Sequence, residues 1–112
     1  MESTRLNSDE VNLHMDYIEG WKHQIIPVPE PTEDKNMESL FKMFPFSNYK
    51  EVREFVNKVA DIAERLTHYP SITFTGNYCT LLLWTENLKG LTEKDFGLAK
   101  EIDKLGVPST QF

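Results

Sequence analysis

Residues 49–68 carry the strongest helical pattern in the chain and constrain its fold more than any other segment. Their apolar side chains recur at helical spacing and form one stripe: Val52, Phe55, Val56, Val59, Ala63 and Leu66. Asn48 and Glu51 have the spacing of an N-terminal capping box. Pro70 disfavours helical backbone at the residue before it. The sequence therefore predicts an amphipathic helix that ends near His68, with His68 in its last turn.

The segments before this helix predict a short helix and two strands. Ser8 is a candidate N-cap for a helix that Gly20 ends. Strand patterns follow at residues 21–28 and 40–44. Between them, residues 29–37 are rich in proline and charge and predict a long loop.

The segments after this helix predict two more strands and a final helix. Residues 72–77 alternate, whereas residues 81–84 of the next strand, residues 79–85, are apolar on both pleat faces. This indicates cover on both sides, by the chain's own helices or by a partner. Thr92 and Asp95 have capping-box spacing at the start of the last helix, and Gly106 ends it.

The order of these elements is α-β-β-α-β-β-α. Hairpins separated by a helix favour an α+β domain: a four-stranded antiparallel sheet with three helices packed on one face. A chain of 112 residues can form one domain with one core. We therefore expect a single domain at residues 8–112 and a disordered N-terminal tail at residues 1–7.

Composition weighs against several classes of function. The formal charge is −6 and no basic cluster is present, which argues against binding nucleic acid through its phosphates. Cys79 is the only cysteine, so an internal disulfide cannot form, and its apolar neighbours predict a buried, inert thiol. No apolar run of membrane-spanning length or secretory type is present, so we expect no membrane association and a cytoplasmic location, with the nucleus or an organelle left open.

Two residues near predicted junctions are candidates for acid–base chemistry. His68 could act as a catalytic group on a rigid corner, or its side chain could simply cap helix carbonyls. Glu86 ends an apolar strand, where burial would raise the pKa of its carboxyl group and suit it to acid catalysis. The alternative for Glu86 is a solvated strand end.

Trp21, His14 and His23 are weaker candidates for a functional role. Trp21 could stack on a planar ligand or belong to the core, while His14 and His23 show no spacing that indicates a metal site. The sequence contains no glycine-rich phosphate loop, zinc-ligand set or nucleophile elbow.

Several motifs resemble the pterin-4a-carbinolamine dehydratases, also known as dimerisation cofactors of a homeodomain transcription factor. Residues 64–70 contain an acidic residue, three spacers, His68 and then Pro70, as in that family. The segments "GW" at residues 20–21, "FPF" at 44–46 and "GLTEKDFGLAKEID" at 90–103 agree as well.

This resemblance implies an α+β fold, no metal and no cofactor, and dehydration of a 4a-hydroxytetrahydropterin to a quinonoid dihydropterin. It implies a catalytic set of His68, Glu86 and Tyr69. It implies pterin contacts from Trp21, Glu64, Thr67, Pro70, Thr85 and Asp95, of which Trp21 would stack on the ring and Asp95 would support the site. It also implies a homodimer or homotetramer.

The chain departs from the family pattern at its chemistry. Tyr69 and Glu86 stand where the family has histidines, and Gly76 stands where an aromatic is usual. With Glu86 beside His68, we expect the pKa of that histidine to be raised. Two hypotheses follow: a dehydratase with an altered acid–base set, and a non-catalytic member that acts as a protein dimerisation or assembly partner. Single-strand nucleic-acid binding is a distant third, because no basic groove is evident.

Overall fold

The computed structural model describes residues 4–27 and 36–106, which form three helices and four strands. The helices are α1 (Ser8–Met15), α2 (Tyr49–Leu66) and α3 (Glu93–Asp103). The strands are β1 (Lys22–Pro27), β2 (Asn36–Pro45), β3 (Ser71–Phe74) and β4 (Tyr78–Leu83). The predicted element order and the α+β class are confirmed.

The four strands form one antiparallel sheet in the order β1-β2-β4-β3. Leu40 pairs with Leu83 and Phe44 pairs with Cys79, and all four side chains are buried on the face that carries the helices. The helices contribute the other half of this core, chiefly Val11, Val52, Phe55, Val59, Phe96, Leu98 and Ile102. The predicted stripe on α2 packs as expected except at Leu66, which is exposed, and Val56 is only partly buried.

The opposite face of the sheet is only partly covered within one chain. Phe41 pairs with Leu82, and Thr80 lies two residues along the same face; all three side chains are half-buried. Cover of this face by a partner chain, which the sequence suggested, stays a prediction.

The start of the chain differs from the sequence prediction. Asn7, not Ser8, caps α1: its side-chain oxygen accepts from the backbone N–H of Glu10, whose carboxylate accepts from the N–H of Asn7. Leu6 was placed in a disordered tail, yet it is buried and its N–H donates to the carbonyl of Leu91. A reciprocal capping box with a buried residue before it fixes this helix start one residue earlier than Ser8 would.

Other boundaries shift by a few residues. α1 ends at Met15 rather than at Gly20, which lies in the following turn at φ 81°. β2 begins at Asn36, so Met37 lies in a strand and is buried instead of belonging to the loop. The rest of that predicted loop, residues 29–35, lies outside the described residues, as does residue 28, the predicted end of the first strand. β4 ends at Leu83 instead of residue 85.

Candidate functional site

The corner after α2 is built from backbone hydrogen bonds. Thr67 adopts a left-handed conformation at φ 53°, which turns the chain out of the helix. The backbone N–H of His68 then donates to the carbonyl of Ala63 at 3.1 Å. His68 therefore lies beyond the helix rather than in its last turn, and its backbone caps the helix while its imidazole is used elsewhere.

The imidazole of His68 is held by the carboxylate of Asp95. Nε2 of His68 lies 2.6 Å from Oδ1 of Asp95. The His68 side chain is 12% exposed and the Asp95 side chain is fully buried. A carboxylate only accepts hydrogen bonds, so the neutral imidazole carries its proton on Nε2. Nδ1 has no hydrogen-bond partner within residues 4–27 and 36–106 and is left with a free lone pair.

Asp95 is itself fixed by the start of α3. Its Oδ2 accepts from the hydroxyl of Thr85 at 2.8 Å and from the backbone N–H of Thr92 at 2.9 Å. The second bond completes the capping box predicted for this helix, which is confirmed. Three hydrogen bonds to one buried carboxylate offset its loss of water. The same side chain therefore starts α3 and orients the imidazole.

Glu86 faces a different partner from the one expected. It opens a 3₁₀ turn (Glu86–Leu88), and its carboxylate accepts from Lys89 Nζ at 2.7 Å and from Trp84 Nε1 at 2.5 Å. The hydrogen bond from Lys89, followed by that from Trp84, lowers the pKa of this carboxyl group. The expectation of a raised pKa is therefore wrong, because the Glu86 side chain is 69% exposed rather than enclosed by the apolar strand. The expected pairing with His68 is replaced by the His68–Asp95 pair.

A cleft of about 370 Å³, here named the His68 cleft, opens at this corner. Its walls are Thr67, His68, Tyr69, Trp84, Thr85, Glu86, Asn87 and Lys94. Five of these residues are candidates from the sequence: Thr67, His68, Tyr69, Thr85 and Glu86. Asp95 does not line the cleft but contacts it through its hydrogen bond with His68. Sequence reasoning missed three wall residues. Trp84 and Asn87 flank Glu86 and could have been found by that adjacency, whereas nothing in the sequence connects Lys94 to the corner.

Besides Asp95, three expected pterin contacts lie outside this lining. Trp21 is 4% exposed, and its Nε1 donates to the carboxylate of Asp103 at 3.1 Å, so it occupies the core, the alternative weighed for it. Glu64 is exposed on α2, and Pro70 is half-buried next to the corner. Neither of these two residues lines the cleft.

The other two histidines also lie away from the cleft. His14 stacks on Phe96 with ring centroids 4.8 Å apart. His23 Nε2 lies 3.3 Å from the carboxylate of Glu38 at the β1–β2 pair. The cleft therefore holds one imidazole, that of His68.

Two negative findings concern the part of the chain that the structure describes. No three histidine, cysteine, aspartate or glutamate side chains there are grouped so that they could hold a metal ion. No helix there has both the length and the apolar character needed to cross a membrane.

Comparison with known proteins places this geometry in context. Residues 4–105 match the family model described as pterin 4 alpha carbinolamine dehydratase. A Sulfolobus acidocaldarius protein whose assigned name is pterin-4-alpha-carbinolamine dehydratase is 35% identical over 101 residues, which are 90% of this chain and 98% of that protein.

Two solved structures are similar in fold. A transcriptional coactivator/pterin dehydratase from Brucella melitensis superposes with a TM-score of 0.75 at 24% identity, covering 91% of this chain and 98% of that one. A pterin dehydratase-like protein described as a RuBisCO assembly factor in the alpha-carboxysome superposes with a TM-score of 0.59 at 26% identity, covering 77% of this chain and 88% of that one.

Proposed function

Because this chain belongs to the pterin-4-alpha-carbinolamine dehydratase family, we propose that it removes water from a 4a-hydroxytetrahydropterin and releases a quinonoid dihydropterin. The observation that supports this proposal is the imidazole of His68, held by the buried Asp95 at the wall of a cleft. An oriented imidazole with one free nitrogen is a suitable group for moving protons near neutral pH.

The reaction needs two proton movements and no redox partner. The C4a–O bond breaks and its electron pair leaves with the oxygen, which takes up a proton and departs as water. The N5–H bond breaks, its proton goes to a base, and its electron pair forms the C4a=N5 double bond. One proton is taken and one is given, so a single imidazole can serve both steps in turn.

In this proposal, Nδ1 of His68 accepts the N5 proton and returns a proton to the leaving oxygen. Asp95 stabilises the imidazolium formed between these steps, since its carboxylate lies 2.6 Å from Nε2. The exposed hydroxyl of Tyr69 can donate a hydrogen bond to the leaving oxygen. Glu86 remains an ionised wall residue, because its lowered pKa makes it a poor proton donor.

The decisive experiment follows quinonoid dihydropterin formation from a freshly generated 4a-hydroxytetrahydropterin. We expect the wild type to exceed the buffer rate and His68→Ala to lose roughly 10²–10⁴-fold, the usual contribution of acid–base catalysis. His23→Ala is the matched control, since His23 lies outside the cleft. A wild-type rate equal to the buffer rate, or a His68→Ala rate equal to that of the wild type, would reject the proposal.

A second candidate function is assembly with another protein. The similar protein described as a RuBisCO assembly factor, at 26% identity, supports this candidate through its similar fold. The half-buried sheet face around Phe41 and Leu82 offers a surface for another protein. The same surface could bind further copies of this chain, as in the homodimer or homotetramer that the resemblance implied. Light scattering that gave a mass near 13.1 kDa at all concentrations would count against self-assembly.

A further inference from the structure

A second cavity adjoins the His68 cleft along α3. It has a volume of about 390 Å³. Its lining residues, which define what we call the lysine groove, are Leu66, His68, Lys94, Gly97, Leu98, Lys100, Glu101 and Lys104. His68 and Lys94 line both cavities. A ligand that occupies the cleft can therefore continue past these two residues into the groove.

The charge of the lysine groove is opposite to that of the whole chain. Three lysines and one glutamate line it, although the formal charge of the protein is −6. The carboxylate of Glu101 is already paired, with Lys104 at 2.7 Å and with Arg65 at 3.7 Å. Lys94 and Lys100 make no ion pair with another described residue, although Nζ of Lys100 lies over the ring of Tyr17, 5.4 Å from its centroid. This local positive excess suits an anionic group.

Gly97 keeps the groove open in the middle of α3. It is an interior residue of a helix, where glycine is the least favourable residue other than proline. A Cβ built at this position would meet no atom within 4 Å, so the packing of the protein does not require a glycine. The missing side chain instead leaves space between the lysines and the cleft.

We infer that the lysine groove receives the side chain of the pterin and that this side chain ends in an anion. This inference rests on the proposed function and narrows its substrate to 4a-hydroxytetrahydropterins whose C6 substituent ends in a carboxylate or a phosphate. The bicyclic ring lies in the His68 cleft, the apolar part of the substituent runs past Leu66 and Leu98, and the anion lies near Lys94 and Lys100.

The test compares kcat/KM for three pterins with neutral, carboxylated and phosphorylated side chains of similar length. An exposed charge pair contributes about 0.2–1 kcal/mol, which corresponds to roughly a 1.4- to 5-fold preference per lysine for the anionic substrates. Added salt should reduce this preference. Lys100→Gln should remove the part of this preference that Lys100 contributes. Lys50→Gln, at an exposed position, is the matched control that leaves the preference unchanged. The carboxylate and phosphate arms show which anion is preferred.

Gly97→Leu provides an independent variant, because it fills the groove without changing a charge. We expect the melting temperature to stay the same or rise, since leucine favours helix and the site is open. The ratio of kcat/KM for the anionic pterins to kcat/KM for the neutral pterin should fall towards one. An equal kcat/KM for neutral and anionic pterins in the wild type would overturn the inference, as would a preference that neither Lys100→Gln nor Gly97→Leu reduces.

Equilibrium binding of non-reactive dihydropterins, followed by fluorescence, separates this inference from the proposed function. Dehydration of neutral and anionic pterins at equal rates would overturn the inference and leave the dehydratase proposal standing. Tighter binding of the anionic pterin that depends on Lys100, without turnover, would reject the dehydratase proposal and support the anion site. Failure of both pterins to bind would overturn both.

Discussion

Replacing Asp95 with asparagine separates the charge of this side chain from its shape. The wild-type carboxylate is fully buried and accepts three hydrogen bonds, from His68, Thr85 and Thr92. In Asp95→Asn, the amide oxygen can keep the bonds to Thr85 and to the backbone N–H of Thr92. The amide nitrogen then faces Nε2 of His68 and must donate to it.

This exchange moves the proton of the imidazole. Once Nε2 of His68 accepts from the amide, the neutral ring carries its proton on Nδ1 and no longer offers a lone pair to the pterin N5. We therefore expect kcat/KM to fall roughly 10²–10⁴-fold, the range for loss of acid–base catalysis. Asp61→Asn, an exposed change on α2, is the matched control.

The stability cost follows from the same three bonds. A hydrogen bond to a charged group contributes about 1.5–3 kcal/mol, and Asp95→Asn loses the charge but keeps most of the geometry. At about 4 °C per kcal/mol for a chain of this length, the melting temperature should fall by roughly 6–12 °C. Asp95→Ala removes the shared acceptor of all three donors and should cost more.

The assay combines thermal unfolding with quinonoid formation well below the melting temperature. Nitrogen NMR of His68 reports directly which ring nitrogen carries the proton. A variant that is destabilised as calculated but keeps the wild-type rate would refute the idea that Asp95 sets the state of the imidazole. An unchanged His68 tautomer would refute it independently.

The further predictions concern three single residues. Burial raises the pKa of Cys79 to about 11, so its thiol should resist a disulfide reagent near about pH 8 until the protein unfolds, and rapid labelling of the folded protein would contradict this. Because this pKa is raised in the folded state, the free energy of unfolding should fall as the pH rises from the unfolded-state pKa of the thiol through about 11. Glu86→Gln should change kcat/KM less than about threefold, because Glu86 stays ionised at neutral pH and pairs with Lys89. Since the pKa of Glu86 is lowered, its stabilising effect exists above the unfolded-state pKa and is lost as the pH falls, so wild type and variant should differ in melting temperature more at about pH 7 than at about pH 3. Thr67→Gly should stabilise the protein by about 0.5–1 kcal/mol in urea unfolding, because a β-branched residue at φ 53° is strained; a loss of stability would contradict that reading.

Local patterns predicted the parts of the fold that depend on neighbours in sequence. The stripe on α2 and the Thr92–Asp95 capping box follow from spacing within a few residues, and both are present. The start of α1 was displaced because Asn7 and Glu10 form the same kind of box one residue before the predicted cap. Such competing caps differ by small free energies, so the sequence alone does not rank them.

The chemistry of the site depends on contacts between distant segments. His68 and Asp95 are 27 residues apart, and their hydrogen bond exists only because α3 returns to the end of α2. Trp21 lies in the core, where its Nε1 donates to the carboxylate of Asp103, 82 residues away in sequence. Glu86 was predicted to end the strand, but β4 ends at Leu83, and the 3₁₀ turn that Glu86 opens carries its carboxylate towards Lys89 and solvent. No spacing rule anticipates these directions.

The most direct test of the account is a titration with a non-reactive dihydropterin, followed by nitrogen NMR of the three histidines. We predict that the Nδ1 resonance of His68 shifts on binding, that Nε2 keeps its proton on the Asp95 side, and that His14 and His23 do not respond. A saturable titration in which His68 is silent would contradict the account.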